Sequence, residues 1–336
     1  MACFLQMIVC LLMLRGASDL WSQGPTEFLF AARRSGIAEV VDAVTLDTVA
    51  RVHFGFQVER LSASADGSRL EVAGYAAGAP CCKHYTLDLA TLKLEEEVPS
   101  SESSGYGACL VSPDGGWCFR LKSFRGPALR VVDLREPEAA RVLIPPDLPE
   151  ENSEGNWSAT GVWSGARFYL YVQRPNDPGL LWTVLPGAQV LGTGTEVAPF
   201  SEALGCRARL PVSKSLVAAA GNIFLYEPFG SKSDRAGTCG MALPGGAWML
   251  DTDTGRLTNQ VAALFHFNSL IPDPYGSTLY GVALGKADWN GPVQVVRLDG
   301  RDGTVLQTRT FEPGVLQIAI GLLAKVPAGD VSARPQ

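Results

Sequence analysis

The feature that most constrains this chain is a turn signal that recurs at a nearly constant interval. The signal is a small residue, aspartate or tyrosine followed by glycine, with a β-rich run on either side. Its glycine occurs at positions 67, 115, 165, 221 and 276. The steps between these glycines are 48, 50, 56 and 55 residues. A period of about 50 residues is typical of folds built from repeated four-stranded sheets. The sequence therefore predicts an array of small antiparallel sheets.

A second signal follows each hairpin, in which a β run ends in Leu or Val and is followed by Asp. Each repeat then consists of strand A, a tight glycine turn, strand B, a loop, strand C with its aspartate, a polar turn and strand D. An aspartate that occurs once per repeat indicates a turn former, whose side chain accepts backbone N–H groups, rather than an acid–base pair. The fourth repeat lacks the aspartate. The aspartates are Asp47, Asp88, Asp133, Asp251 and Asp299.

Counting the repeats predicts an all-β fold, a β-propeller of six blades. The stretch 192–216 could hide further strands and leaves seven blades open. The first repeat lacks a strand A, and the β-rich run 315–326 is predicted to supply it from the C-terminus. Such closure removes open sheet edges. The predicted blades begin near Phe28, Leu61, Ala108, Ala159, Leu216 and Ser269.

The N-terminus resembles an export signal. Residues 2–14 are apolar except for Gln6, which is the length of a signal-peptide core and too short for a membrane span. A mis-assigned start or a short buried strand is the alternative, because no basic residue precedes the stretch. We predict a signal peptide at 1–24, one propeller domain at 25–330, a disordered tail at 331–336, and a secreted or periplasmic protein without a membrane span.

The repeat motifs resemble those of a known group of proteins. Ser112-Pro113-Asp114-Gly115 and Leu250-Asp251-Thr252-Asp253-Thr254-Gly255 are similar to the YVTN-type, WD40-like repeats of exported bacterial β-propellers. The likeness covers most of residues 28–329. It implies a propeller, a bacterial source and export, and it assigns no activity.

Charge and motif searches narrow the possible functions. The formal net charge of −6 and the absence of a basic run argue against nucleic acid as a partner. No P-loop, HExxH, Gly-x-Ser-x-Gly or Rossmann glycine pattern occurs. Packing roles are favoured for His53 and His266. The cluster Cys81-Cys82-Lys83-His84 could bind a transition metal, although a disulfide or a plain loop is favoured. The sequence identifies no cofactor.

The cysteines are consistent with an oxidising compartment. Six remain after the signal peptide, which allows fifteen pairings, and some could be buried free thiols. We predict one disulfide, between Cys206 and Cys239, which would pin the longest loop and lower the ordering cost of binding. Four loop cysteines without a common purpose are the alternative.

Strand order places the long connections on one face of the propeller, which we call the loop face. The B–C and D–A connections emerge there and are long, whereas the A–B and C–D turns at the other end are short. We predict a non-enzymatic propeller that binds a protein, peptide or carbohydrate through the loop face. The alternative is a lactonase-like hydrolase or a quinone- or metal-dependent oxidoreductase with its site at the central channel. The predicted binding residues are Trp289, Arg235, Arg174, Lys286 and Phe229.

Overall fold

A computed structural model describes twelve segments of the chain, and these segments form six sheets whose consecutive strands are antiparallel. The described residues are 26–64, 66–75, 83–97, 109–122, 127–145, 158–173, 179–197, 215–228, 245–284, 292–312, 316–323 and 329–333. The strands are β1 Thr26–Arg33, β2 Ile37–Asp42, β3 Thr48–His53, β4 Gln57–Ala63, β5 Arg69–Tyr75, β6 Lys83–Asp88, β7 Lys93–Glu97, β8 Leu110–Val111, β9 Trp117–Lys122, β10 Ala128–Asp133, β11 Arg141–Leu143, β12 Ser158–Ser164, β13 Arg167–Gln173, β14 Gly179–Val184, β15 Thr195–Val197, β16 Ser215–Ala219, β17 Asn222–Tyr226, β18 Ala247–Leu250, β19 Leu257–Val261, β20 His266–Pro272, β21 Thr278–Leu284, β22 Val293–Asp299, β23 Val305–Phe311, β24 Leu316–Leu323 and β25 Asp330–Ser332.

Each sheet is one blade of a six-bladed propeller, as the repeat count predicts. Blades 2 to 6 are the consecutive groups β4–β7, β8–β11, β12–β15, β16–β19 and β20–β23, each paired in sequence order. The first strand of each group is the inner one, because inner strands of neighbouring blades contact each other, as β12 and β16 do. β15 completes blade 4, so part of the stretch that left a seventh blade open belongs to the fourth. A short 3-10 helix at Pro137–Ala139 lies between β10 and β11.

Blade 1 joins the two ends of the described chain. β24 pairs antiparallel with β1 along all eight residues, from Thr26 opposite Leu323 to Arg33 opposite Leu316. The predicted closure by the C-terminal strand is therefore confirmed. One element was not predicted: β25 adds a fifth strand, parallel to β3, at the outer edge. Val331 and Ser332 lie in this strand, although the sequence analysis placed them in a disordered tail.

The repeating glycine signal has a conformational cause. Gly67, Gly115 and Gly276 have φ values of +68°, +70° and +68° in the turns that join strands A and B. Side chains disfavour this left-handed region, so a tight hairpin turn with this geometry selects glycine. The signal was recognisable in sequence because the turn conformation itself repeats.

The core consists of apolar layers between neighbouring blades. Leu29 and Val41 of blade 1 pack with Val282 and Val295 of blade 6, and all four side chains are almost fully buried. β13 is buried over nearly its whole length, so both of its faces contact other blades. Burying strands on both faces produces continuous apolar runs instead of strict alternation.

The described residues contain no helix of the length and apolarity that a transmembrane helix needs. The predicted signal peptide at 1–24 lies outside the described residues.

Candidate functional site: the axial cavity

The inner strands of the six blades surround a cavity on the propeller axis. Its volume is about 850 Å³, within the range of ligand pockets in proteins. It lies where strands A lead into the A–B turns, so it opens toward the end opposite the loop face. We call this end the turn face, since the A–B and C–D turns emerge there. Every blade contributes to the lining, as shown by Ile320, Leu61, Pro113, Trp163, Ala219 and Asp273, taken from blades 1 to 6.

The cavity wall is mainly apolar, with two aromatic side chains. The indole Nε1 of Trp163 donates to the Leu110 carbonyl at 2.9 Å, and its ring lies 4.6 Å from the Phe119 ring. These contacts occupy the polar edge of the indole and fix its orientation. Tyr275 is 71% exposed on the A–B turn of blade 6. The wall therefore offers apolar and aromatic surface to a ligand.

Asp273 is the carboxylate of the described lining, and it has hydrogen-bond partners within its own turn. Its Oδ1 accepts the Ser277 backbone N–H at 2.7 Å, and its Oδ2 accepts the Ser277 hydroxyl at 2.7 Å. The side chain is buried, with 5% exposed. Close by, burial and then the Asp273 charge raise the pKa of Glu27, while Arg297 opposes the rise. Asp273 therefore contributes a carboxyl group to the mouth of the cavity.

Two other A–B turns carry aspartates of the same kind. Asp66 Oδ1 accepts the Ser64 hydroxyl at 2.6 Å and the Ser68 N–H at 3.1 Å. Asp114 Oδ1 accepts the Ser112 hydroxyl at 2.5 Å. The serine hydroxyl is the main cause that lowers the pKa of each carboxyl, with backbone N–H donors next. Both aspartates are therefore anionic at neutral pH.

The C–D turns confirm the turn-forming role predicted for the repeated aspartates, with one correction. Asp88, Asp133, Asp251 and Asp299 each accept a backbone N–H from the turn that follows. In blade 1 this role belongs to Asp42, which accepts the N–H groups of residues 44 and 45 at 2.9 and 2.7 Å. The sequence analysis assigned Asp47 instead. The run contains two apolar–Asp pairs, and β2 ends at the first of them.

The described lining lacks the side chains of a familiar catalytic site. It contains no Lys, Arg, His or Cys, and its serines have no histidine beside them among the lining residues. His53 Nε2 lies 3.6 Å from Asp330 Oδ2 outside this lining, and His84 and His266 also lie outside it. Within the described part of the chain, no three His, Cys, Asp or Glu side chains are grouped to hold a metal ion.

The residues predicted to bind a partner on the loop face lie outside the described residues. The same holds for Cys81 and Cys82 of the candidate metal cluster and for the predicted Cys206–Cys239 disulfide. These assignments stay predictions. The predicted binding residues concerned are Trp289, Arg235, Arg174, Lys286 and Phe229.

Among the described residues there is one disulfide, and it was not predicted from the sequence. Cys109 and Cys118 are bonded, with their Cα atoms 5.4 Å apart, across the hairpin of β8 and β9. The two cysteines flank the Asp114-Gly115 turn, and this local spacing was the available signal. The bond fastens β8, which pairs with β9 over two residues, next to the cavity wall.

The fold and cavity place the chain in the class of six-bladed β-propellers with an axial site. No protein-family model and no curated protein matches the sequence. Among solved structures, TolB from Acinetobacter baumannii is similar with a TM-score of 0.53 and 15% identity, covering 90% of this chain and 67% of TolB.

Two further structures show weaker likeness. A putative TolB from Agrobacterium tumefaciens has a TM-score of 0.49 at 16% identity, and apo AztD from Citrobacter koseri has 0.44 at 13%. The alignments cover 90% of this chain and 100% of each of these proteins. At 15% identity, the likeness to TolB from Acinetobacter baumannii shows the β-propeller fold alone.

Proposed function

We propose that this chain is an exported, non-enzymatic binding protein that receives a polypeptide segment of a partner in its axial cavity. The observation that carries the proposal is the cavity of about 850 Å³ to which all six blades contribute. A site built from six inner strands is rigid, so little entropy is lost in ordering it when a ligand binds. The apolar wall with Trp163 and Tyr275 suits side chains of a peptide.

The lining chemistry supports binding over catalysis. A hydrolase needs a positioned nucleophile with a base, or a metal-bound water. Both carboxylate oxygens of Asp273 accept hydrogen bonds from Ser277, and the described lining contains no histidine. The enzymatic alternative from the sequence, a hydrolase or oxidoreductase at the central channel, becomes an outcome of the test below.

Export and the loop face remain part of the proposal on the evidence of sequence. The Cys109–Cys118 disulfide supports an oxidising compartment, as the signal-like N-terminus does. Membership of the YVTN-type bacterial propellers rests on the repeat motifs. The loop face, with Trp289 and Arg235, is the second proposed contact surface, and carbohydrate is the second proposed ligand class.

Selection of random peptides displayed on phage against the purified protein tests the proposal. Ser164 lines the cavity, so Ser164→Trp should obstruct it, and selected peptides should bind this variant at least about tenfold more weakly. Leu306→Trp introduces the same residue at a side chain 47% exposed on the outer strand β23, away from the cavity, and binding should be unchanged. Equal binding to parent and Ser164→Trp would place the peptide elsewhere. Loss in Trp289→Ala would indicate the loop face, and cleaved peptide in mass spectra would indicate an enzyme.

A further inference from the structure

The turn face that surrounds the cavity mouth carries aspartates on every blade except the fourth. Blades 2 and 3 have one in the A–B turn and one at the C–D turn, blade 6 has one and two in these places, and blades 1 and 5 each have two at the C–D turn. The arrangement follows from turn chemistry, since each accepting carboxylate satisfies turn N–H groups. The side effect is a concentration of negative charge at one end. The aspartates are Asp42, Asp47, Asp66, Asp88, Asp114, Asp133, Asp251, Asp253, Asp273, Asp299 and Asp302.

Some arginines on this face lie beside individual aspartates, whereas Arg69 begins β5 directly after the A–B turn of blade 2. Arg135 Nε lies 2.8 Å from Asp133 Oδ1. Arg256 and Arg301 stand on C–D turns beside Asp251 and Asp302 and lower the pKa values of those carboxyls, after the larger effect of turn hydrogen bonds. Arg167 begins β13 after the blade 4 turn, where no aspartate occurs. The A–B turns around the cavity mouth carry Asp66, Asp114 and Asp273 and no basic residue.

The cavity sharpens the effect of this charge. A cleft with low-dielectric walls and charge of one sign at its mouth concentrates the electric field there and attracts ions of the opposite sign. Trp163 and Tyr275 add aromatic surface at the same end, and aromatic ring faces attract cations. Farther from the turns the wall is apolar, with Leu61 and Ile318. The mouth therefore favours positive charge, and the interior favours an apolar group.

We propose that the segment bound by the cavity is basic and apolar together, with an apolar side chain inserted between the inner strands and flanking lysines or arginines on the A–B turns. This inference rests on the proposed function and specifies the chemistry of its ligand. The stems of lysine and arginine lie along apolar surface while their charged ends stay in water, which suits a mouth of aromatic rings and carboxylates. An acidic segment is repelled by the same turns.

Two matched triple variants separate the effect of charge at the cavity mouth on peptide binding from the effect of the net charge of the protein. Asp66→Asn, Asp114→Asn and Asp273→Asn together neutralise the cavity mouth, and an amide oxygen in the Oδ1 position still accepts the backbone N–H of each turn. The control changes the net charge equally at the outer turns: Asp88→Asn, Asp253→Asn and Asp302→Asn. Cooperative thermal unfolding of both variants by circular dichroism shows that each is folded.

The probes are three capped seven-residue peptides with a central leucine, flanked by lysines, glutamines or glutamates, and a fourth with lysines and a central serine. Fluorescence anisotropy should give the lysine–leucine peptide the tightest binding. The mouth variant should weaken it roughly tenfold, and the outer variant by less than about twofold. Raising sodium chloride from low to high concentration should weaken binding to the parent more than to the mouth variant.

The outcomes distinguish the inference from the function on which it rests. If glutamine and lysine peptides bind equally and Ser164→Trp abolishes both, the cavity binds peptides and the charge inference is wrong. If the mouth and outer variants weaken binding of the lysine–leucine peptide equally, net charge explains the effect, and the charge inference is again wrong. If none of the four peptides binds, the inference fails, and the selected phage peptides then decide the proposed function.

Discussion

Two interfaces between neighbouring blades, which we call seams, are stabilised by different kinds of contact. The seam between blades 3 and 4 is aromatic: the Phe119 ring lies 4.6 Å from both the Trp163 and the Phe168 ring. Gly161 makes room for this cluster, since a Cβ there would lie 2.3 Å from Phe168 Cζ. Directed polar contacts are fewer, and Trp163 Nε1 donating to the Leu110 carbonyl is one of them.

The seam between blades 6 and 1 adds a polar ladder to its apolar layer. Four consecutive carbonyls in the C–D turn of blade 1, at residues 43–46, each accept a side-chain hydrogen bond from blade 6. Arg309 also contacts Glu39 at 3.3 Å and Thr48 at 2.7 Å. The donors to residues 43, 44, 45 and 46 are Tyr280 at 2.8 Å, Arg297 at 3.3 Å, Gln307 at 2.5 Å and Arg309 at 2.5 Å.

The difference corresponds to the position of each seam in the chain. Blades 3 and 4 are consecutive, so their covalent connection already brings them together and non-directional packing is sufficient. The polar ladder joins residues 237 to 263 positions apart. Hydrogen bonds to four successive carbonyls have one register, and they therefore fix the alignment of distant parts of the chain.

Removing the C-terminal strand should have the largest effect on the closing seam. A chain ending at Pro313 lacks β24, and blade 1 loses all eight residue pairs with β1. We expect no cooperative thermal unfolding by calorimetry. A chain ending at Gly329 lacks only β25, with its three parallel pairs, and should still unfold cooperatively at a lower temperature. Parental melting of the shorter chain would contradict the role of β24.

Truncating an aromatic side chain should be the next largest effect. Phe168 is fully buried, so Phe168→Ala removes packing from the blade 3–4 seam and should lower the free energy of unfolding by about 3–5 kcal/mol. Urea unfolding followed by fluorescence measures the change. Leu306→Ala, on the exposed side of β23, serves as the control and should change stability by less than about 0.5 kcal/mol. A loss below about 1 kcal/mol at Phe168 would contradict the importance of aromatic packing.

Breaking one step of the polar ladder should cost less. Arg309→Met keeps much of the side-chain volume and removes the bonds to the Leu46 carbonyl, Glu39 and Thr48. We expect a loss of about 1–3 kcal/mol in urea unfolding, because partly buried acceptors lose their donor. The loss should shrink in high salt, whereas that of Phe168→Ala should not. Equal salt dependence of the two variants would remove the distinction between the seams.

Glu27 at the closing seam should give the smallest effect, visible as a pH dependence. Its folded-state pKa is raised by burial and by Asp273, so the folded protein retains a proton that the unfolded chain has released. Stability from this group is full below its unfolded pKa and is lost as pH rises through the folded pKa. Glu27→Gln should therefore stabilise the protein at pH 7, by an amount that vanishes in acid. A constant difference across pH would refute this assignment.

The parts of the fold that repeat locally could be predicted, and those that depend on long-range contacts could not. The glycines at 67, 115 and 276 indicated the hairpins because a positive φ leaves a mark in the sequence. Blade 1 shows the limit: Val41-Asp42 and Leu46-Asp47 match the strand C pattern equally, and strand pairing decides between them. Arg297 and Arg309 resemble ordinary surface residues in sequence, since their carbonyl acceptors lie at the other end of the chain.

The sequence pattern placed the candidate site on the loop face and not on the turn face, because it does not show which residues meet at the propeller axis. Sequence reasoning looks for long loops with aromatic and basic residues, and it selected the loop face, whose binding residues lie outside the described segments. The axial cavity is lined by inner-strand residues such as Ala219 and Ile320, which in sequence look like core. Trp163 was not selected, because its role depends on six blades meeting at one axis.

Because blade 1 combines β1 with β24, its inner strand pair can form only after β24 has been synthesised. Thr26 pairs with Leu323, so the inner edge of β1 stays without its partner strand until residues 316–323 have left the ribosome. Blades 2 to 6 can each form from consecutive strands as they emerge, but the ring cannot close. Contacts of such sequence separation are slow to form. A nascent chain therefore carries an unpaired β1 edge until β24 has been synthesised, and a chaperone that shields this edge would act during that interval.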